Sequence, residues 1–196
     1  MKIANLAVRD KLLEKGLRVF GLKELGVIFS QTERMTKYYV EKFEKEGLFL
    51  RLKPGLYCLK TDLLSEQEIA NQVYQPSYIS FEYALAFYNI LPEMVYVVTS
   101  ATTKASRKFE VLGKGYEYTT IRKDLYWGCT PKAEGNSRFV MAEPEKALTD
   151  YLYLVSLGGK VMNERLEVIS LDKDKIFGYA EKYARPAMMK LAYALY

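Results

Sequence analysis

Ser30-Gln31-Thr32-Glu33-Arg34-Met35-Thr36-Lys37-Tyr38-Tyr39-Val40-Glu41-Lys42-Phe43-Glu44-Lys45-Glu46-Gly47 and the following Leu48-Phe49-Leu50-Arg51-Leu52-Lys53-Pro54-Gly55-Leu56-Tyr57-Cys58-Leu59 decide how the first third of the chain folds. Ser30 and Glu33 stand three apart, the spacing of a capping box, so a helix is expected from about Gln31 to Glu46 with Gly47 as its stop. Met35, Tyr39, Val40 and Phe43 recur at helical spacing and read as the buried face. Gln31, Arg34, Lys37, Tyr38, Glu41 and Lys45 point elsewhere. After Gly47 the period changes to that of a strand. Pro54-Gly55 suits the central positions of a type II turn, giving a hairpin with Arg51 and Lys53 at its tip.

Upstream, Ile3, Leu6, Ala7, Leu12 and Leu13 fit an apolar stripe on a helix over about 3–15, closed by Gly16. A short helix at about Leu22 to Leu25, ending near Gly26, follows. The order helix, helix, turn, capped helix, basic hairpin reads as a winged helix-turn-helix. In that architecture the N-terminal half of the second helix of the pair meets base edges in the major groove. Arg34 suits guanine and Gln31 adenine, while Lys37 and Tyr38 suit phosphates. Arg51 and Lys53 on the wing are placed to reach adjacent phosphates or a minor groove. The candidate DNA-binding residues are therefore Gln31, Arg34, Lys37, Tyr38, Arg51 and Lys53. A winged helix also serves as a protein-docking module, so an interaction module without DNA binding is the rival reading.

Charge follows the same division. The chain has 196 residues and a net charge of +5. Residues 1–60 hold 13 basic and 7 acidic side chains, whereas the other 136 hold 16 basic and 17 acidic. The excess positive charge lies wholly in the first third, as expected of a polyanion-binding end joined to a near-neutral one, although a solvated surface carries similar bias. The domains are read as 1–60, a winged-helix DNA-binding domain, and 61–196, an α+β domain, with Thr61-Asp62 at the boundary.

In the second domain, Ser65-Glu66-Gln67-Glu68 opens a helix to about Tyr74, and Ser80 starts another near Phe81. Strands are expected at Val95 to Ser100, Phe109 to Leu112, Tyr116 to Ile121, Leu125 to Gly128 and Arg138 to Ala142. Gly113-Lys114-Gly115 reads as a hairpin turn and Thr130 to Ser137 as a polar loop. Pro144 in a first turn with Glu143 and Glu145 starts a helix through Leu154, which Gly158-Gly159 ends. Asp172 caps a helix to about Tyr183, and Pro186 begins the last one. Glu143, Glu145, Lys146 and Asp150 form the densest ionisable group. They fit charge placement at a helix start better than a carboxylate metal site, but the latter would make the protein a metal-dependent nucleic-acid-processing enzyme. Tyr38, Tyr116, Tyr118, Tyr179 and Tyr183 sit in polar settings that suit interfaces as well as a core.

The absence of histidine excludes His-based triads and His metal ligands. Two cysteines, Cys58 and Cys129, are too few for a disulfide framework and read as buried thiols in a reducing cytosol. No signal peptide or membrane span is read, so the expected location is cytoplasmic and no cofactor or metal is expected.

Three segments occur in an order and spacing that resemble one family: Arg51-Leu52-Lys53-Pro54-Gly55-Leu56-Tyr57, Pro76-Ser77-Tyr78-Ile79-Ser80-Phe81-Glu82-Tyr83-Ala84-Leu85, and Ala142-Glu143-Pro144-Glu145-Lys146-Ala147-Leu148-Thr149-Asp150. Together they resemble the AbiEi family of type IV toxin–antitoxin antitoxins, also described as transcriptional regulators of viral defence systems. The resemblance implies a bacterial antitoxin, not an enzyme, whose winged helix binds inverted repeats in its own promoter. It implies DNA contacts at Gln31, Arg34, Lys37, Arg51 and Lys53, with a homodimer on DNA among the expectations. It also implies a C-terminal domain that counters a cognate nucleotidyltransferase toxin, leaving open whether by direct contact.

Overall fold

The computed structural model describes residues 5–196; Ile3, read into the first apolar stripe, lies outside them. The chain divides into two compact units, Met1–Ser65 and Glu66–Tyr196. Both mix helices and strands, so the protein is α+β. Among the described residues no helix is long and apolar enough to cross a membrane.

The first unit runs α1 (Asn5–Glu14), β1 (Val19–Gly21), α2 (Leu22–Phe29), α3 (Glu33–Lys45), β2 (Phe49–Lys53) and β3 (Leu56–Leu59). The strands form an antiparallel sheet in the order β1-β3-β2. Its core is aromatic: Phe43 contacts Phe29, Tyr39 and Phe49, and Phe49 meets Phe20 at 4.9 Å between ring centroids. The expected stripe on α1 is mostly wrong. Val8 and Leu12 are buried, while Leu6 and Leu13 stay exposed.

Helix α2 continues through Gly26 to Phe29. Leu25, Ile28 and Phe29 are buried at helical spacing, and that burial outweighs the roughly 1 kcal/mol that an interior glycine costs. Ser30, expected as an N-cap, closes α2 instead. It adopts the left-handed conformation (φ 52°, ψ 44°), with Ser30 N–H donating to Val27 O and Gln31 N–H to Gly26 O. That pair of bonds is the Schellman pattern. The cap of α3 is therefore Thr32, whose hydroxyl accepts from Met35 N–H at 3.4 Å. The buried face also shifts by one residue: Thr36 is fully buried and Met35 is 38% exposed. Gly47, with φ 74°, ends α3 by the same pattern, Gly47 N–H donating to Glu44 O and Leu48 N–H to Phe43 O.

The second unit begins with α4 (Glu66–Val73), β4 (Ser77–Ile79) and α5 (Phe81–Phe87). Strands β5 (Val98–Thr102), β6 (Arg107–Val111) and β7 (Lys114–Thr120) follow, then a single 3-10 turn at Lys123–Leu125. The chain continues through β8 (Cys129–Glu134), β9 (Ser137–Ala142), α6 (Pro144–Ser156), α7 (Lys173–Lys182) and α8 (Pro186–Tyr193). The mixed sheet has the order β6-β7-β5-β4-β9-β8, with β4 parallel to β9 and β5 parallel to β7. Helix α6 packs against α5, α7 and α8.

Three expectations here need correction. The β6–β7 turn is Leu112-Gly113, both at positive φ (52° and 78°), which matches the twist of a two-residue hairpin; Lys114 and Gly115 already belong to β7. Leu125 to Gly128 is not a strand, since Leu125 is buried from the 3-10 turn. The strand there is β8, which runs through the residues read as a polar loop and pairs with β9 from Cys129↔Ala142 to Glu134↔Ser137. An edge strand with an exposed face tolerates the polar side chains and Pro131 that disguise it.

Candidate nucleic-acid interface

Capping at Thr32 and burial of Thr36, Tyr39, Val40 and Phe43 fix which side of α3 faces outward. Arg34, Lys37 and Tyr38 share that side, spaced i, i+3, i+4, and all are exposed, Tyr38 by 58%. Lys37 holds Glu33 at 2.7 Å, an ion pair between exposed groups. The hydrogen bond and charge of Lys37 lower the Glu33 carboxyl below its ordinary range, and Glu33 raises Lys37 in return. One turn from the end of the helix, Lys42 pairs with Glu46 at 3.7 Å. Arg34 stands outside these pairs with its guanidinium in solvent.

Gln31 is exposed but does not lie on the helix; it occupies the turn between α2 and α3. In the hairpin, Arg51 pairs with Tyr57 and Lys53 with Leu56, so Leu52 is the extra residue of a bulge. The bulge turns Leu52 into the interior and leaves Arg51 exposed. Lys53 is half-buried, so the exposed tip consists of Pro54 and Gly55, the latter at the positive φ (79°) of a type II turn. The first unit thus brings Arg34, Lys37 and Tyr38 onto one helix face, places Gln31 just before it, and presents Arg51 from the strand that follows.

The ionisable group of the second unit separates into two clusters. Lys175 bridges Glu143 and Glu145 at 2.9 Å each, and the Tyr179 hydroxyl donates to Glu143. The hydrogen bond from Lys175 holds the Glu143 carboxyl below its usual value, and Lys175 is raised correspondingly. Asp150 belongs elsewhere. Both it and Lys146 have fully buried side chains, joined at 2.5 Å. Asp150 also accepts from the hydroxyls of Tyr78 (2.9 Å), Ser80 (2.8 Å) and Tyr183 (2.6 Å). Lys146 donates to Tyr183 at 2.6 Å and lies 4.6 Å from the Trp127 ring centroid. Burial pushes the Lys146 ammonium below its ordinary pKa, with Asp150 opposing the shift. The Tyr78 and Tyr183 hydroxyls are driven up by burial and by Asp150.

This buried network ties α6 to the β4–α5 turn and to the end of α7. Among the described residues, no three His, Cys, Asp or Glu side chains are grouped to hold a metal ion. Of the tyrosines that suit either an interface or a core, Tyr116, Tyr118 and Tyr183 are core residues; the Tyr118 hydroxyl donates to Ala70 O at 2.6 Å. The network leaves one signal in the sequence, Gly128. At φ 65° it faces Lys146 so closely that a Cβ there would stand 3.0 Å from the lysine Cγ. No protein-family model matches the chain, and no curated protein matches it.

Proposed function

We propose that the protein is a DNA-binding transcriptional regulator whose first unit is a winged helix-turn-helix and that it represses its own promoter. The observation that carries the reading is the outward face of α3: Arg34, Lys37 and Tyr38 together, behind a turn displaying Gln31 and beside a hairpin displaying Arg51. Arg34 reads a base edge, while Lys37, Tyr38 and Arg51 hold phosphates. The N-terminal end of α3 adds the positive end of its dipole toward a phosphate. The net charge of +6 over residues 1–60 supports the same partner.

On this reading the second unit is the antitoxin half of a type IV toxin–antitoxin system and counters a nucleotidyltransferase toxin, as the resemblance to the AbiEi family implies. The protein is then a regulator rather than an enzyme, and its location cytoplasmic. The test is fluorescence anisotropy with a duplex from the chain's own upstream region. Arg34→Ala should weaken specific binding by about 1–3 kcal/mol and relax preference at one position, whereas Arg51→Ala should weaken all duplexes alike. Equal losses on specific and random duplex for both variants would refute this division of roles.

A further inference from the structure

In the second unit an open cleft of about 650 Å³ lies where β4 begins beside β9, bordered by α4 and by Lys104 from the β5–β6 connection. Its volume falls in the range of small-ligand sites. Ser77 lines it. The residue is only 8% exposed, and its Oγ has no hydrogen-bond partner among the described residues. A buried hydroxyl without a partner costs free energy; Ser77 Oγ itself has under 1 Å² of exposed surface, so a ligand reaches it only where the cleft wall gives way.

Two cations border the same cleft, Lys104 and Arg138, both exposed and, among the described residues, neither paired with a carboxylate. The nearby Glu68 carboxylate accepts from the Arg138 main-chain N–H. Lys104 lies over the Tyr74 ring beside Arg107, so the positive charge at this rim is reinforced. The lining also includes two aromatic residues, half-buried Tyr126 and buried Phe139, the latter next to Arg138 on β9. Gln72 and Gln75 sit on the rim and bond each other at 3.2 Å, keeping further amide groups for a polar ring edge.

We infer that this cleft binds a free nucleotide: Lys104 and Arg138 take the phosphates, Ser77 Oγ hydrogen-bonds the ligand, and Tyr126 supplies a surface for the base. Two cations alone would suit any anion. The Tyr126 ring and the amides in the same lining favour a phosphate that carries a ring. None of these residues belongs to the first unit, so the inference is independent of the DNA reading.

The test is titration of the full chain with ATP by calorimetry and by the emission of Trp127, the single tryptophan, which adjoins Tyr126. Saturable binding is expected with Kd on the order of 100 µM, and binding of adenosine or inorganic phosphate at least about tenfold weaker. Lys104→Gln and Arg138→Gln should each weaken ATP about tenfold with melting temperatures unchanged, and Ser77→Ala should weaken it several-fold while not lowering the melting temperature. The inference is overturned by no saturable ATP binding up to about 5 mM. It is equally overturned by binding that is undiminished in the folded Lys104→Gln/Arg138→Gln double variant, or by inorganic phosphate binding as tightly as ATP.

Discussion

Replacing Lys146 by Met tests the buried network of the second unit. Both members of the Lys146–Asp150 pair have no exposed side-chain surface. Removing one partner from a buried ion pair costs about 3–5 kcal/mol, because the remaining charge stays desolvated. Here three hydroxyls, from Tyr78, Ser80 and Tyr183, still donate to Asp150. They place the cost at the lower end, about 3 kcal/mol, with methionine filling the space of the lysine stem beneath Trp127. For a unit of this size the loss lowers the melting temperature by roughly 10 °C. Differential scanning calorimetry of the full chain reads it as a fall in the transition of the second unit. Lys146→Met/Asp150→Asn removes both charges and keeps an oxygen for the tyrosines, so it should recover most of the loss. A fall of less than about 1 kcal/mol for Lys146→Met, or a double variant no more stable than the single one, would refute the reasoning.

Ser30 and Thr32 separate the two capping schemes: Ser30→Gly should stabilise the first unit by about 0.5 kcal/mol, since Ser30 sits at positive φ, and Thr32→Ala should cost about 1 kcal/mol in urea unfolding. Loss of stability in Ser30→Gly would restore the N-cap reading. The Cys58 thiol is pushed up by burial from 9.0 to about 11, which makes its thiolate about 100-fold scarcer near pH 8. Ellman's reagent should therefore find it almost silent until urea is added, and an immediate full reaction of Cys58 would contradict its burial. Glu143 has its folded pKa lowered below the ordinary 4.5, so its pairing with Lys175 stabilises above that value and is lost as pH falls through the lowered one. Lys175→Gln should accordingly shrink the drop in the second unit's urea midpoint between about pH 6 and about pH 3, and an unchanged drop would show the pair to be inert.

What the residues reveal in advance depends on whether the signal is local. Helix α3 and its hairpin are legible because a 3.6-residue period gives way to strand patterning at Gly47, and because Pro54-Gly55 has one preferred turn. The cap of α3 is misread because Ser30 and Thr32 both carry capping hydroxyls. The choice between them is made by α2, whose C-terminus takes Ser30 N–H and Gln31 N–H. Strand β1 is three residues long and exists through its pairing with β3, so its own sequence offers no pattern. Strand β8 hides for a different reason: at the sheet edge its side chains need not be apolar.

The candidate face of α3 is legible in part. Arg34, Lys37 and Tyr38 share it, while Gln31 falls in the preceding turn and Lys53 is drawn inward by the bulge at Leu52. Asp150, grouped by chain proximity with Glu143 and Glu145, is sorted by space instead. Its partners Tyr78, Ser80 and Tyr183 lie tens of residues away in the chain, and no local spacing announces them.

The most direct test of the central claim is a titration of the purified chain onto a labelled duplex of its own upstream region, with a random duplex beside it, across a series of salt concentrations. The account predicts tighter binding to the upstream duplex by at least about a thousandfold, with log K falling linearly in log salt on both duplexes. Equal affinity for the two duplexes, or binding that does not respond to salt, would contradict it and turn the first unit into a protein-docking module.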